Sequence, residues 1–396
     1  MPDQSEINPT VYRLASAHFV SDAYSNLYAP LLPALIPRLG LSLAAAGMMA
    51  MLFQLAASLS QVGFGHLADR WRPRVLLVVG PLVSVTVLSL IGTASTPAML
   101  AAILVVGGLG GAAFHPSAAA VVHRLGGSRR GLAMAIHITG GSVGYSLGPL
   151  LFAPFVERFG LGWTPLLAVP GLVLLGVVLR RMPLLQPFGA AAGGSFGALR
   201  PYARPLFLLY LIVAIRTMAS LSFATFIPVL LTRRGWSVSM AGVAVSIYLF
   251  AGGIGGFSGG PMADRLGARR VIVVSLLLSV PFLAVATTLG GWSLVVVLAL
   301  GGFFLQSTLP VNVTFAHQIA PVSAATVSSL MMGLAWGTGG LTAPIVGAIA
   351  DRVGIDLTLS VIAFLPLVGA ACALSLPRGA ALHPANTVHG APSGGV

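Results

Sequence analysis

Gly63-Phe-Gly-His-Leu-Ala-Asp69-Arg70-Trp-Arg-Pro-Arg74 lies between two long apolar runs, and Gly260-Pro-Met-Ala-Asp264-Arg265-Leu-Gly267-Ala-Arg269-Arg270 occupies the same kind of position further along. A shift of 195 residues superimposes them: Gly65, Asp69, Arg70 and Arg74 fall on Gly260, Asp264, Arg265 and Arg269. The same shift carries Pro33 onto Pro228, Arg38 onto Arg233, Gly40 and Gly47 onto Gly235 and Gly242, and Gly144 and Pro149 onto Gly339 and Pro344. A glycine-rich chain supplies one or two such coincidences by chance, but not this many at a single offset. The chain is therefore read as a duplicated unit.

The surroundings of the two segments say what kind of unit is duplicated. The 396 residues are 57% hydrophobic and 7% charged, against about 25% charged in an ordinary soluble domain. A helix needs about 20 apolar residues to cross the hydrocarbon core, and twelve such runs are counted, near residues 11–37, 42–66, 74–94, 97–123, 131–157, 163–180, 206–232, 238–263, 271–290, 292–318, 325–350 and 357–376. Most of the 49 glycines and 27 prolines lie inside these runs, where neighbouring helices satisfy backbone groups that a break sets free. We call the runs spans 1 to 12. The expectation is an all-α membrane protein of twelve transmembrane helices, in two six-helix halves related by a parallel pseudo-two-fold repeat, since six intervening spans leave both halves with the same orientation. Residues 1–180 form the N-terminal half, 181–205 a cytoplasmic linker containing Pro183, Pro187, Gly193, Gly194 and Pro201, 206–376 the C-terminal half, and 377–396 a cytoplasmic tail.

All 21 basic residues are arginines and the formal net charge is +13. A nucleic-acid-binding surface would gather such charges in one stripe; here they are scattered between spans. With both termini in the cytoplasm, fifteen arginines fall on the cytoplasmic side and five, Arg38, Arg158, Arg233, Arg234 and Arg352, on the other. That asymmetry sets the orientation. Residues 1–10 are polar with two acids and lack the basic region and the cleavage site expected of a signal peptide. The lone cysteine, Cys372, excludes an internal disulfide or a cysteine-based metal site.

The doubled segment between spans 2 and 3 and between spans 8 and 9 resembles the signature loop of the major facilitator superfamily, and the resemblance extends over essentially the whole chain. Arg72 stands where that loop usually has glycine, as the second copy does at Gly267. Within the superfamily the chain is most similar to the fosmidomycin resistance proteins, which are proton-driven drug exporters. The similarity is carried by His18-Phe-Val-Ser-Asp22, Phe53-Gln54-Leu-Ala-Ala-Ser58, Phe114-His115-Pro116 and Gly141-Ser-Val-Gly144-Tyr-Ser-Leu-Gly148-Pro149. Ser117 follows Pro116 where that family commonly has an acid. The resemblance implies a substrate site between the halves, opened to each side in turn.

Ionisable side chains within a span are costly and mark partners, paths or cavities. Those here are His18, Asp22, His115, His137 and Arg216, with His317 nearer the end of span 10. His18 and Asp22 share a helix face by their spacing of four. Arg216 maps onto Ser21 under the repeat, so Asp22 and Arg216 are expected at similar depth, facing one another. One reading makes them a structural ion pair. The other gives Asp22, with His18 and His115, the proton-coupling role, and gives Arg216 the attraction of an anionic substrate. Tyr24, Asn26, Gln54, His115, His137, Tyr145 and Asn312 are further substrate-binding candidates; for His18, His115 and His137 the competing reading is a packed or backbone-bonded histidine. Gly65, Asp69, Arg70, Arg74, Asp264, Arg265 and Arg269 are read as a gate, the competing reading being topology alone. Gly144, Gly148 and Pro149 are read as helix-packing positions.

A proton-coupled exporter of a small anionic or amphipathic compound fits these features, with uptake of an organic anion as the alternative on the same fold. An enzyme is disfavoured by the lack of a nucleophile, base and orienter set or a metal cluster, a sensor by the lack of a soluble domain, and nucleotide-driven transport by the lack of a phosphate-binding loop. No cofactor, metal or nucleic acid is expected; the partners are substrate, protons and lipid, and the chain is expected to act as a monomer in a bacterial cytoplasmic (inner) membrane.

Overall fold

The computed structural model describes residues 7–70, 73–180, 182, 196–320 and 327–377. The junction Trp71–Arg72, residues 181 and 183–195 of the expected linker, and the tail beyond Pro377 lie outside them. Every regular element among the described residues is a helix. Ten helices are long and apolar enough to cross a membrane. The other two of the twelve spans fall short for different reasons. Span 1 is two helices, Pro9–Ser25 and Tyr28–Leu39, and span 5, Arg130–Phe159, is diluted by Gly140, Gly141, Gly144 and Gly148. Spans 1 and 5 are also in extensive contact with each other.

Span 1 was expected to be continuous from 11 to 37, and its interruption is a correction. Pro30 has no amide proton, and its ring opposes the carbonyl of residue 26, four positions back. The helix ends at Asn26, whose Nδ2 donates to the Tyr145 carbonyl of span 5 at 2.8 Å. Spans 11 and 12 are broken likewise. Span 11 has a π-turn at Ser329–Leu334, then Ala335–Gly340 and, after a turn, Ala343–Val353 with Pro344 in its first turn. Span 12 comprises Ile355–Ile362 and Leu365–Leu374, the second part opening with Pro366. Span 6 begins as a 3₁₀ segment, Leu161–Leu167, before the helix Ala168–Leu179.

The remaining spans are single helices. Spans 2 to 4 are Leu43–Arg70, Pro73–Ser89 and Pro97–Leu125. Spans 7 to 10 are Ala203–Arg233, Val238–Leu266, Ala268–Thr288 and Gly291–Ile319. The duplication is visible in the backbone: span 1 is followed by Gly40 at φ 61° and span 7 by Gly235 at φ 86°, two left-handed turns 195 residues apart where only glycine is unstrained.

Glycine sets how closely the helices approach. A Cβ on Gly144 would stand 2.1 Å from the Phe19 carbonyl oxygen, and one on Gly148 would stand 2.4 Å from that of Ala23. Span 5 thus lies against the backbone of span 1 at Gly144 and Gly148. The halves meet through spans 2 and 11 and through spans 5 and 8. There a Cβ on Gly47 would stand 2.2 Å from the Ala343 carbonyl oxygen, and one on Gly242 would stand 2.8 Å from that of Pro149.

Candidate functional site

The close approach of spans 1 and 5 places four titratable side chains together in the N-terminal half. His18 Nδ1 is 2.9 Å from the carbonyl oxygen of His137. A carbonyl only accepts, so Nδ1 carries the proton of that bond. The other ring nitrogen, Nε2, faces Asp22 Oδ2 at 3.2 Å. A neutral imidazole protonated on Nδ1 would present a lone pair to a carboxylate oxygen, which is repulsive. A second proton, on Nε2 or on the carboxyl group, turns the contact into a hydrogen bond, and the geometry therefore has a place for one exchangeable proton. His115 Nε2 lies 3.4 Å from Asp22 Oδ1. The donor atoms of His18, Asp22 and His115 are within 4.8 Å of one another, close enough for one cation, a proton or a metal ion, to be shared among them. The His137 ring is packed on His18 with centroids 4.3 Å apart. Gly141 makes room for this arrangement, since a Cβ there would stand 2.4 Å from His18 Nε2. Span 4 brings His115 in next to Pro116, and Ser117 turns back to bond the Ala113 carbonyl.

The C-terminal half has a different centre. Arg216 of span 7 is buried, at 2% exposure. Its guanidinium donates to Gln306 Oε1 of span 10, and to Thr217 Oγ1 at 3.0 Å, and its centre lies 5.6 Å from the Trp336 ring centroid. Its Nε makes no hydrogen bond. Gln306 also donates to Ser220 Oγ at 3.3 Å. The charge of Arg216 is thus met by neutral dipoles and a π face.

The reading of Asp22 and Arg216 as a structural ion pair is therefore corrected: Asp22 contacts His18 and His115, and Arg216 bonds Gln306 and Thr217, each within its own half. Each centre has a tyrosine near it. Tyr145 of span 5 is within electrostatic reach of both Asp22 and Tyr248, and Tyr248 of span 8 is within reach of Arg216. A narrow cavity in this region is lined by Asn26, Phe53, Gln54 and Tyr145 from one half and by Leu221, Thr225 and Gly340 from the other.

Of the substrate-binding candidates, Asn26, Gln54 and Tyr145 line the cavity, with Gln54 Nε2 bonded to Ser58 Oγ at 2.8 Å. Tyr24 does not, which corrects its expected place. It sits two residues after Asp22, about 200° around the helix, and its hydroxyl donates to the Leu167 carbonyl of span 6 while its ring packs on Phe152. His137 is buried at 2% exposure against His18. Asn312 is fully buried in span 10 with neither amide atom hydrogen-bonded. Sequence reading missed Gln306, Trp336 and Tyr248, the neighbours of Arg216; a polar residue such as Gln306 inside an apolar run was the available signal.

Among the gate candidates, Gly65 lies beside span 4, its added Cβ 3.8 Å from Pro116 Cβ. Asp69 and Arg70 fall in the last turn of span 2 and Arg74 in the first turn of span 3; the side chains of Asp69 and Arg70 lie outside the described residues. Asp264 and Arg265 are exposed at the end of span 8. Arg269 opens span 9 and donates to the carbonyls of Ala373, at 3.2 Å, and Leu374, the last turn of span 12, where a cation meets the negative end of the helix dipole.

Comparison with known proteins agrees with this architecture. The sequence profile of the Major Facilitator Superfamily matches residues 14–237 and 206–391. The fosmidomycin resistance protein of Escherichia coli (strain K12) is 32% identical over 368 residues, covering 90% of both chains. A probable sulfoacetate transporter, SauU of Cupriavidus necator, is 26% identical over 377 residues, covering 86% of this chain and 87% of its own. Among solved structures, a bacterial homologue of the human lysosomal transporter Spinster, inward-facing and unoccupied, superimposes with a TM-score of 0.77 at 17% identity, over 94% of this chain and 96% of that one. With two profile matches that together span both halves, and a full-length relative at this identity, the chain belongs to the major facilitator superfamily of membrane transporters.

Proposed function

We propose that this transporter is a proton-coupled exporter of a small anionic or amphipathic compound, of the class that includes fosmidomycin-like drugs, working by alternating access. The observation that carries the reading is the division of charge between the halves: a shareable proton position at His18, Asp22 and His115 in one, and in the other a buried arginine that, among the described residues, bonds neutral groups and no carboxylate. Asp22 exchanges the proton, with His18 and His115 as its relay. Arg216 attracts the anionic group of the substrate, and Asn26, Gln54 and Tyr145 supply hydrogen bonds beside it. Proton binding at Asp22 and anion binding at Arg216 belong to different access states, and this alternation links the two fluxes in exchange.

The protein lies in the bacterial cytoplasmic membrane as a monomer, with both termini, the 181–205 linker and the 377–396 tail in the cytoplasm. The Asp69/Arg70 and Asp264/Arg265 segments gate the cytoplasmic side. Asp69→Asn is expected to slow turnover more than it weakens binding, because its contact is made in one state and broken in the other.

The test is drug sensitivity with and without expression, using fosmidomycin and several unrelated compounds, followed by flux in proteoliposomes under an imposed proton gradient. Raised resistance together with proton-dependent flux is the expected result. Uptake of an organic anion is the second reading, favoured by the likeness to the probable sulfoacetate transporter and by the same arginine; raised sensitivity, or growth on such an anion, would establish it instead.

A further inference from the structure

On the face opposite the chain termini, each half reaches across to cap a helix of the other. Asp351, at the end of span 11, accepts hydrogen bonds from the backbone amides of Leu43 and Ala44 at 2.8 and 2.9 Å. Glu157, at the end of span 5, accepts one from the amide of Ser239 at 2.5 Å. Leu43 and Ala44 open span 2, and Ser239 is in the first turn of span 8. The next amide in each helix is met locally, Ala45 by Ser42 Oγ at 3.1 Å and Met240 by Ser237 Oγ at 3.2 Å. A helix leaves its first four amides unpaired and carries partial positive charge there. In both places the helix's own serine satisfies one of these amides, and a carboxylate from the opposite half takes two more in span 2 and one more in span 8.

The two contacts are copies of one another. Ala44 and Ser239 are 195 residues apart, as are Ser42 and Ser237. Glu157-Arg158-Phe-Gly160 and Asp351-Arg352-Val-Gly354 are 194 apart, and both glycines have positive φ, 83° and 90°. The acid, arginine and glycine are thus repeated with a one-residue slip after Pro149 and Pro344. By contrast, the nearby Arg234–Asp356 pair, 2.5 Å apart, joins elements of the C-terminal half only. Beneath the carboxylates the halves touch at backbone level, where a Cβ on Gly347 would stand 2.1 Å from the Leu43 carbonyl oxygen. Separation of the halves on this face breaks both caps at once and leaves carboxylates and amides to water. The bonds to Ala44 and Ser239 are exposed and that to Leu43 is half-buried, so water can replace them as the face opens.

We propose that Asp351 and Glu157 are a symmetry-related pair of latches that hold this gate closed, and that as positioning residues they set the balance between the two access states of the transport cycle. This rests on the alternating-access reading above. The test uses the full chain in proteoliposomes with Cys372→Ser and a single reporter, Ala50→Cys, in the central cavity. A membrane-impermeant maleimide is applied from either face, and the ratio of the two labelling rates is read. In the reporter background, labelling from both faces establishes alternating access; labelling from one face only would refute that reading itself. Against that background, Asp351→Asn and Glu157→Gln are each expected to raise labelling from the gate face relative to the other about two- to fivefold, with the effects multiplying in the double variant. Asp351→Glu should restore the parent ratio. An unchanged ratio in the double variant overturns the proposal, and so does a lowered melting temperature with the ratio unmoved, since that marks a merely structural contact.

Discussion

The two halves are built from one plan, yet their centres work in opposite ways. In the N-terminal half, span 1 carries a histidine and an acid one turn apart, and spans 4 and 5 add two more histidines, so that the cluster is built from side chains that can change charge. In the C-terminal half, the pseudo-equivalent span 7 carries an arginine, held by an amide, a hydroxyl and an indole, none of which titrates near neutrality. Duplication supplied the same scaffold twice, and a switchable site and a fixed charge were then placed on it separately. The proposed alternation of proton and anion binding needs both kinds of centre, held apart so that no closed ion pair forms between them.

The sharpest way to break this comparison is to remove the switch. Asp22→Asn is expected to reduce proton-driven substrate movement to background in proteoliposomes while leaving measurable substrate exchange; uphill transport at the parent rate would move the coupling site to His18 or His115. Removal of the fixed charge is next. Arg216→Ala deletes a charge-assisted interaction of about 1.5–3 kcal/mol, so substrate affinity should fall roughly 10- to 150-fold with the proton response retained. Calorimetric binding, read beside proton uptake, separates the two effects.

The glycines sharpen the comparison further. Gly144 of span 5 abuts backbone, the Phe19 carbonyl at 2.1 Å from a built Cβ, whereas its counterpart Gly339 of span 11 first meets the Thr217 side chain at 2.7 Å. Backbone cannot step aside as a side chain does. Gly144→Ala should therefore lower stability by about 1–3 kcal/mol, and Gly339→Ala by less, as read from thermal unfolding in detergent. The smallest expected effect is that of Tyr24→Phe. It removes one buried hydrogen bond, to Leu167, about 0.5–1.5 kcal/mol, and should leave transport kinetics unchanged because the hydroxyl faces span 6 rather than the cavity.

The helix register explains which site residues could be read from the chain and which could not. The spacing of His18 and Asp22 places them on one face in any α-helix, and their contact followed. Nothing local placed His115 against Asp22 across 93 positions, or aimed Tyr24 at span 6; those depend on how spans 1, 4 and 5 are rotated about their axes. Gln306 and Trp336 were passed over for the same reason, since a glutamine or a tryptophan in an apolar run acquires meaning only from what faces it.

The amino-acid sequence alone determined the class of molecule, the twelve spans, the duplication and the identity of the costly charges within the spans. Each of these follows from hydropathy or from residue spacing, and both are properties of the chain read along one dimension. Tertiary structure alone decided that Asp22 and Arg216 remain apart, that span 1 breaks where Asn26 reaches span 5, and that Glu157 and Asp351 cap helices of the opposite half. The reason is steric: helix rotation and depth are set by how closely glycine lets one backbone approach another, and that distance belongs to the packed pair rather than to either segment.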